Sequence, residues 1–161
     1  MSLRPPLRGV RFAAACLALL LAAFACGEPK PEAFAAAEGF VEIRGKRIAV
    51  EVADGAAEQS LGLGERDALA WDTGMYFPYA RAGFYGFWMK GMRFSIDIVF
   101  VREGRIVDLH PHVPFEPGGN GPTIRPRELA DAVLEVPAGY ALAQGWRIGD
   151  RVVFERAPDP R

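Results

Sequence analysis

Apolar and polar residues alternate in two runs near the start of the folded part, Phe40-Val-Glu-Ile and Arg47-Ile-Ala-Val-Glu-Val, separated by Arg44-Gly45-Lys46. A period of two with a glycine turn between predicts a β-hairpin. Asp54 then stands where an N-cap is expected, ahead of a short helix beginning at Ala56, which Gly62 weakens and Gly64 stops. Further short strands are predicted at Met75–Phe77, Phe84–Met89, Ser95–Val101, Arg105–His110, Ala132–Val136 and Arg151–Glu155. Pro114 to Pro126, rich in proline and glycine and without periodicity, reads as a long loop. Tyr140 to Gln144 fits about a turn and a half of helix. The pattern predicts a mainly β, small single-domain fold, a sandwich or barrel with one or two short helices.

One stretch does not follow the simple pattern. Gly86 to Phe100 carries Trp88, Met89, Lys90, Arg93 and Asp97 among apolar residues. Alternation places Phe87 and Met89 on one face and Trp88 and Lys90 on the other. Farther on, Phe94, Ile96, Ile98 and Phe100 share a face, and Asp97 interrupts the opposite one beside Val99 and Val101. A hairpin turning at Gly91 would bring Lys90 and Arg93 near Asp97. A carboxylate against apolar neighbours is costly unless partnered. Two readings therefore compete. In the first, Asp97 accepts backbone amides or pairs with Lys90, Arg93 or Arg66. In the second, it orients a cation in a cleft where Trp88 and Met89 form an apolar wall and Lys90 or Arg66 meets a polar or anionic ligand.

The chain of 161 residues has a different composition at its start. Arg4, Arg8 and Arg11 precede the apolar run Phe12 to Phe24, and Ala23-Phe24-Ala25 offers a small-x-small cleavage site before Cys26. This reads as an export signal, shorter than the roughly 20 apolar residues a membrane-spanning helix needs. Leu21 to Gly27 resembles a bacterial lipobox, which implies lipidation of Cys26. Ordinary cleavage with a free Cys26 stays open, because Phe24 and Ala23 depart from the lipobox pattern. Gly27, where an aspartate would retain a lipoprotein at the inner membrane, implies by the same resemblance the outer one. The expected organisation is residues 1–25 signal, 26–39 a Pro-, Ala- and Glu-rich tether, 40–155 the β domain, and 156–161 a tail.

Cys16 leaves with the signal, so the mature chain forms no internal disulfide. Removal of three basic residues leaves 16 basic against 20 acidic, a net charge of −4 that argues against nucleic acid.

Several motifs occur in a specific order: Gly62-Leu63-Gly64-Glu65-Arg66, Gly74-Met75-Tyr76-Phe77, Phe87-Trp88-Met89-Lys90, Ile96-Asp97-Ile98-Val99-Phe100, Val133 to Gly139, and Gly149-Asp150. In this order they resemble the DUF192 family over most of residues 40 to 155. The resemblance implies a mainly β, often exported protein and names no reaction. The family commonly has methionine after Gly-Leu where Gly64 stands here, and Asn-Thr where Gly91-Met92 follows the lysine.

Asp108, His110 and His112 alternate onto one strand face, a composition that suits a metal. Pro111 breaks the strand between the histidines, so a solvated strand end is the favoured reading and no metal or other cofactor is expected. Glu135 and Asp150 have no matched carboxylate nearby in sequence, which leaves a two-carboxylate hydrolase weakly founded. No serine elbow, phosphate loop or CxxC motif is present.

The favoured reading is a non-catalytic binding module of the bacterial envelope, in the periplasm or on the periplasmic face of the outer membrane, with contact to the membrane only through Cys26. Its expected partner is a polar or anionic small molecule, a glycan or another envelope component. Arg66, Trp88, Met89, Lys90 and Asp97 are the candidate binding residues. An enzyme of hydrolase type and a structural partner of another envelope protein are the competing readings.

Overall fold

A computed structural model describes residues 37–158. The predicted signal, Cys26 and nearly all of the predicted tether lie outside the described residues. Among the described residues nine strands form: β1 (Gly39–Ile43), β2 (Lys46–Val52), β3 (Thr73–Gly83), β4 (Phe87–Trp88), β5 (Ile96–Arg102), β6 (Arg105–Val113), β7 (Thr123–Ile124), β8 (Ala130–Pro137) and β9 (Val152–Arg156). Two short helices accompany them, α1 (Ala56–Leu61) and α2 (Tyr140–Ala143). The mainly β expectation holds. Among the described residues no helix is long and apolar enough to cross a membrane.

Seven strands make one sheet in the order β6-β5-β8-β3-β2-β1-β9. β2 and β3 run parallel, joined through α1, and the other neighbours are antiparallel. The sheet curls into a half-barrel, and its two edges meet at a single bridge, Arg105 to Arg151. Backbone bonds from Ile106 N to Asp150 O (3.0 Å) and from Val152 N to Gly104 O (2.8 Å) hold that seam.

Curling gives the sheet two cores. Inside the curl lie Val41, Ile43, Ile48, Val50, Val99, Leu134 and Tyr140. Outside it, β5, β8 and β3 present Ile96, Ile98, Phe100, Val133 and Phe77 to a cover of loops that contributes Leu63, Phe87, Met89 and Met92. β5 and β8 are thus buried on both faces and read as nearly unbroken apolar runs. β1 and β2 alternate as predicted, because only one of their faces is covered.

The cover is stitched by the pairing of β4 with β7, Phe87 to Ile124 and Trp88 to Thr123, so the predicted loop at 114–126 contains a strand. Gly121 allows this close approach: its φ is +58°, and a Cβ there would stand 2.6 Å from Met89 Cβ. The strand predicted over 84–89 shrinks to Phe87–Trp88. β3, predicted over 75–77, extends to 11 residues, with its pairing to β8 slipping between Pro78 and Gly83. Helix α1 begins at Ala56 as predicted, but its N-cap is Gly55 and not Asp54, with Gly55 N donating to Glu58 Oε2 at 3.0 Å. Asp54 pairs instead with Arg156 at 2.6 Å.

Candidate functional site

Short strand β4 separates its side chains as alternation requires. Phe87 and Met89 are buried in the outer core, whereas Trp88 is 48% exposed and Lys90 is exposed next to it. Trp88 and Lys90 look onto the end of α1, and between them lies a small concavity of about 40 Å³. Gln59, Ser60, Leu61 and Gly62 form one wall, Trp88 and Lys90 another, and Phe77, Tyr79 and Glu135 line it from the sheet. Two further hollows adjoin it, each sharing Leu61. One, of about 200 Å³, runs between Leu61, Glu65, Trp88 and Lys90. The other, of about 130 Å³, surrounds Arg66 with Glu38, Glu51 and Glu58.

Glu135 is the unusual group here. It sits on β8, two strands in from the sheet edge, opposite Met75 on β3 and Ile98 on β5. The side chain is 5% exposed, and its Oε2 has no hydrogen-bond partner. Burial pushes its carboxyl up to about 8, against the opposing pull of the Arg66 charge. Arg66 itself forks onto Glu51, with Nη1 to Oε1 at 2.7 Å and Nη2 to Oε2 at 2.6 Å. Tyr79, stacked on Tyr85 with ring centres 3.6 Å apart, is pushed up to about 12, chiefly by burial.

The structure brings Trp88 and Lys90 together and places Arg66 in the adjoining hollow. Met89 and Asp97 go elsewhere. Met89 is fully buried on the inward face of its strand, so it forms no wall of the cleft. Asp97 points into the curl, on the opposite face of β5 from the outer core, and accepts three backbone amides: His112 (2.8 Å), Gly139 (2.9 Å) and Ala141 (2.9 Å). It ties α2 and the β6 bulge to β5. The expected proximity of Lys90 and Arg93 to Asp97 fails for the same reason: β4 belongs to the outer cover, and Arg93 bonds Asp67.

The histidines diverge too. β6 continues through Pro111, but its pairing with β5 slips between Ile96 and Ile98, and His112 takes φ +50°. His110 Nε2 lies 3.0 Å from Asp108, while the His112 ring packs toward Gly139. Asp108 is buried. Burial alone would raise its carboxyl, but bonds from Arg127, His110 and the Leu109 amide pull it down to about 2. Among the described residues no three His, Cys, Asp or Glu side chains are gathered so as to hold a metal ion.

Sequence reasoning set Glu135 aside because no second carboxylate lay near it in sequence. The signal it carried was different: a single acid inside the apolar run Ala132-Val-Leu-Glu-Val-Pro, on a strand covered on both faces.

The model of DUF192, described as an uncharacterised ACR, matches residues 39–154. The chain belongs to the DUF192 family. Two crystal structures resemble this DUF192 domain closely. One is a "putative transcription regulator" from Sinorhizobium meliloti 1021, 27% identical, with a TM-score of 0.67, covering 76% of this chain and 98% of its own. The other is a protein of unknown function from Novosphingobium aromaticivorans DSM 12444, 28% identical, with a TM-score of 0.65, covering 71% of this chain and 83% of its own. No protein of curated function matches the chain.

Proposed function

We propose that this DUF192 protein is an exported binding module of the bacterial envelope, anchored by lipid at Cys26, that captures a polar small molecule or glycan in the groove between α1 and β4. The periplasmic face of the outer membrane is its proposed location, and nucleic acid is not its partner. One observation carries the reading: Trp88 and Lys90 stand together over a concavity, although the core needs neither of them. Their strand neighbours Phe87 and Met89 do the packing. An aromatic face open to solvent beside a cation, over a shallow hollow, favours recognition over structure. Leu61, 56% exposed on the opposite wall, adds apolar surface to the same groove.

The test pairs melting curves with a screen of glycans, peptides and small anions, using wild type, Trp88→Ala and Lys90→Ala. Both variants are expected to melt within about 1 kcal/mol of wild type, because exposed side chains contribute little to the fold. Each should lose affinity for the ligand found. Unchanged binding in both variants would move the site away from this groove.

A further inference from the structure

The groove has a floor that its rim does not explain. Glu135 Oε2 is buried and has no hydrogen-bond partner, yet the side chain lines the concavity beneath Trp88 and Lys90. A buried polar atom left unpaired costs about 1–3 kcal/mol, and natural folds retain few of them. Gly62 adds no side chain over it. Its φ is +54°, and a Cβ there would lie 3.8 Å from Oε2 and 3.6 Å from the Phe77 ring.

We propose that Glu135 is the specificity-determining residue of this groove and that it hydrogen-bonds a hydroxyl group of a neutral saccharide. The inference rests on the binding reading given above and narrows it. Charge selects the class. A cationic ligand would meet Lys90 on the rim and the field of Arg66 at the floor. An anionic one would approach a carboxyl that turns repulsive on ionising. A neutral hydroxyl meets neither obstacle, and a carboxylic acid both donates to it and accepts from it. Trp88 supplies the flat apolar surface on which the C–H face of a sugar ring stacks.

Isothermal titration of triacetylchitotriose, maltotriose and inorganic phosphate into the whole domain tests this, using wild type, Trp88→Ala, Lys90→Ala, Glu135→Leu and Glu135→Gln. The expected result is that one of the two neutral trisaccharides binds wild type at pH 6.5. Trp88→Ala and Glu135→Leu should each weaken it at least tenfold, while Glu135→Gln, which keeps a donor and an acceptor, stays within about threefold. Wild-type affinity should fall between pH 6.5 and 9 and that of Glu135→Gln should not. Tyr79 and Lys90 line the same concavity, Arg66 acts on Glu135 from the adjoining hollow, and all three are unchanged in that variant, so a pH dependence arising from them would persist in it. Sugar binding that survives Glu135→Leu overturns the inference, as does the absence of binding by either sugar. Phosphate bound through Lys90 with no sugar bound would keep the groove and remove the hydroxyl-reading role. Sugar binding unaffected by both Trp88→Ala and Lys90→Ala would remove the groove itself.

Discussion

Replacing Glu135 with glutamine should stabilise the domain, and by more as the pH rises. The carboxyl titrates near 4.5 when unfolded, and burial pushes it up to about 8 in the fold. Between those values the native state holds a proton that the unfolded chain has released. Stability therefore falls as pH rises, by about 1.4 kcal/mol per unit. The contribution is fully present below about pH 4.5, and about 5 kcal/mol of it is gone once pH passes the folded value. At pH 7 the loss is about 3 kcal/mol. Glutamine has nearly the same shape and does not titrate, so Glu135→Gln escapes this loss. Urea unfolding of both proteins from pH 5 to pH 9 isolates the effect, since every other titrating group is common to the two. The variant should match wild type within about 1 kcal/mol at pH 5 and exceed it by about 3 kcal/mol at pH 7, on the order of 10 °C in melting temperature. A difference that stays flat with pH would refute the reasoning, because it would mean that burial does not hold the carboxyl protonated.

Asp97→Ala strips the acceptor from three amides and should cost about 3 kcal/mol or more, read as a lowered urea midpoint; a loss under 1 kcal/mol would show that water replaces the carboxylate. His110→Ala with His112→Ala should leave the melting temperature insensitive to chelator, as it is expected to be in wild type; a chelator-sensitive wild-type melt abolished by the double change would establish a metal site. Mass spectrometry of envelope fractions should find a mature N-terminus at lipidated Cys26. A cleaved, unmodified Cys26 would remove the anchor only, and protein confined to the cytosol would remove export.

How far the fold was legible followed from which faces are covered. β1 and β2 bury one face each, so Phe40 to Val52 alternates and the hairpin is plain. β3 carries Pro78, which reads as a stop, yet the strand tolerates it where the pairing to β8 slips. β7 is two residues long within a run of proline and glycine, and only its partner β4 makes it a strand. No local pattern encodes that pairing. The Trp88–Lys90 face was legible because alternation on β4 is strict. The position of Asp97 relative to Lys90 was not, because sequence gives no sign that the chain crosses from the outer cover to the sheet between Met92 and Ile96.

The same limit explains why two lone acids on apolar strands were weighed unequally. Asp97 and Glu135 look alike in sequence, each a single carboxylate in a run that is otherwise apolar. What separates them is the supply of donors. Asp97 faces the turn into α2, where the amides of Gly139 and Ala141 point at it, joined by that of His112 across the bulge. Three amides consume the carboxylate and leave it nothing to offer a ligand. Glu135 faces side chains instead: Phe77 and the outer core on one side, Arg66 held by Glu51 on the other. Its Oε2 keeps an unused bonding capacity beneath the small hollow under Trp88. A buried acid whose donors all come from the backbone fastens the fold, whereas one left without donors beneath an exposed tryptophan is where a ligand gains most from binding.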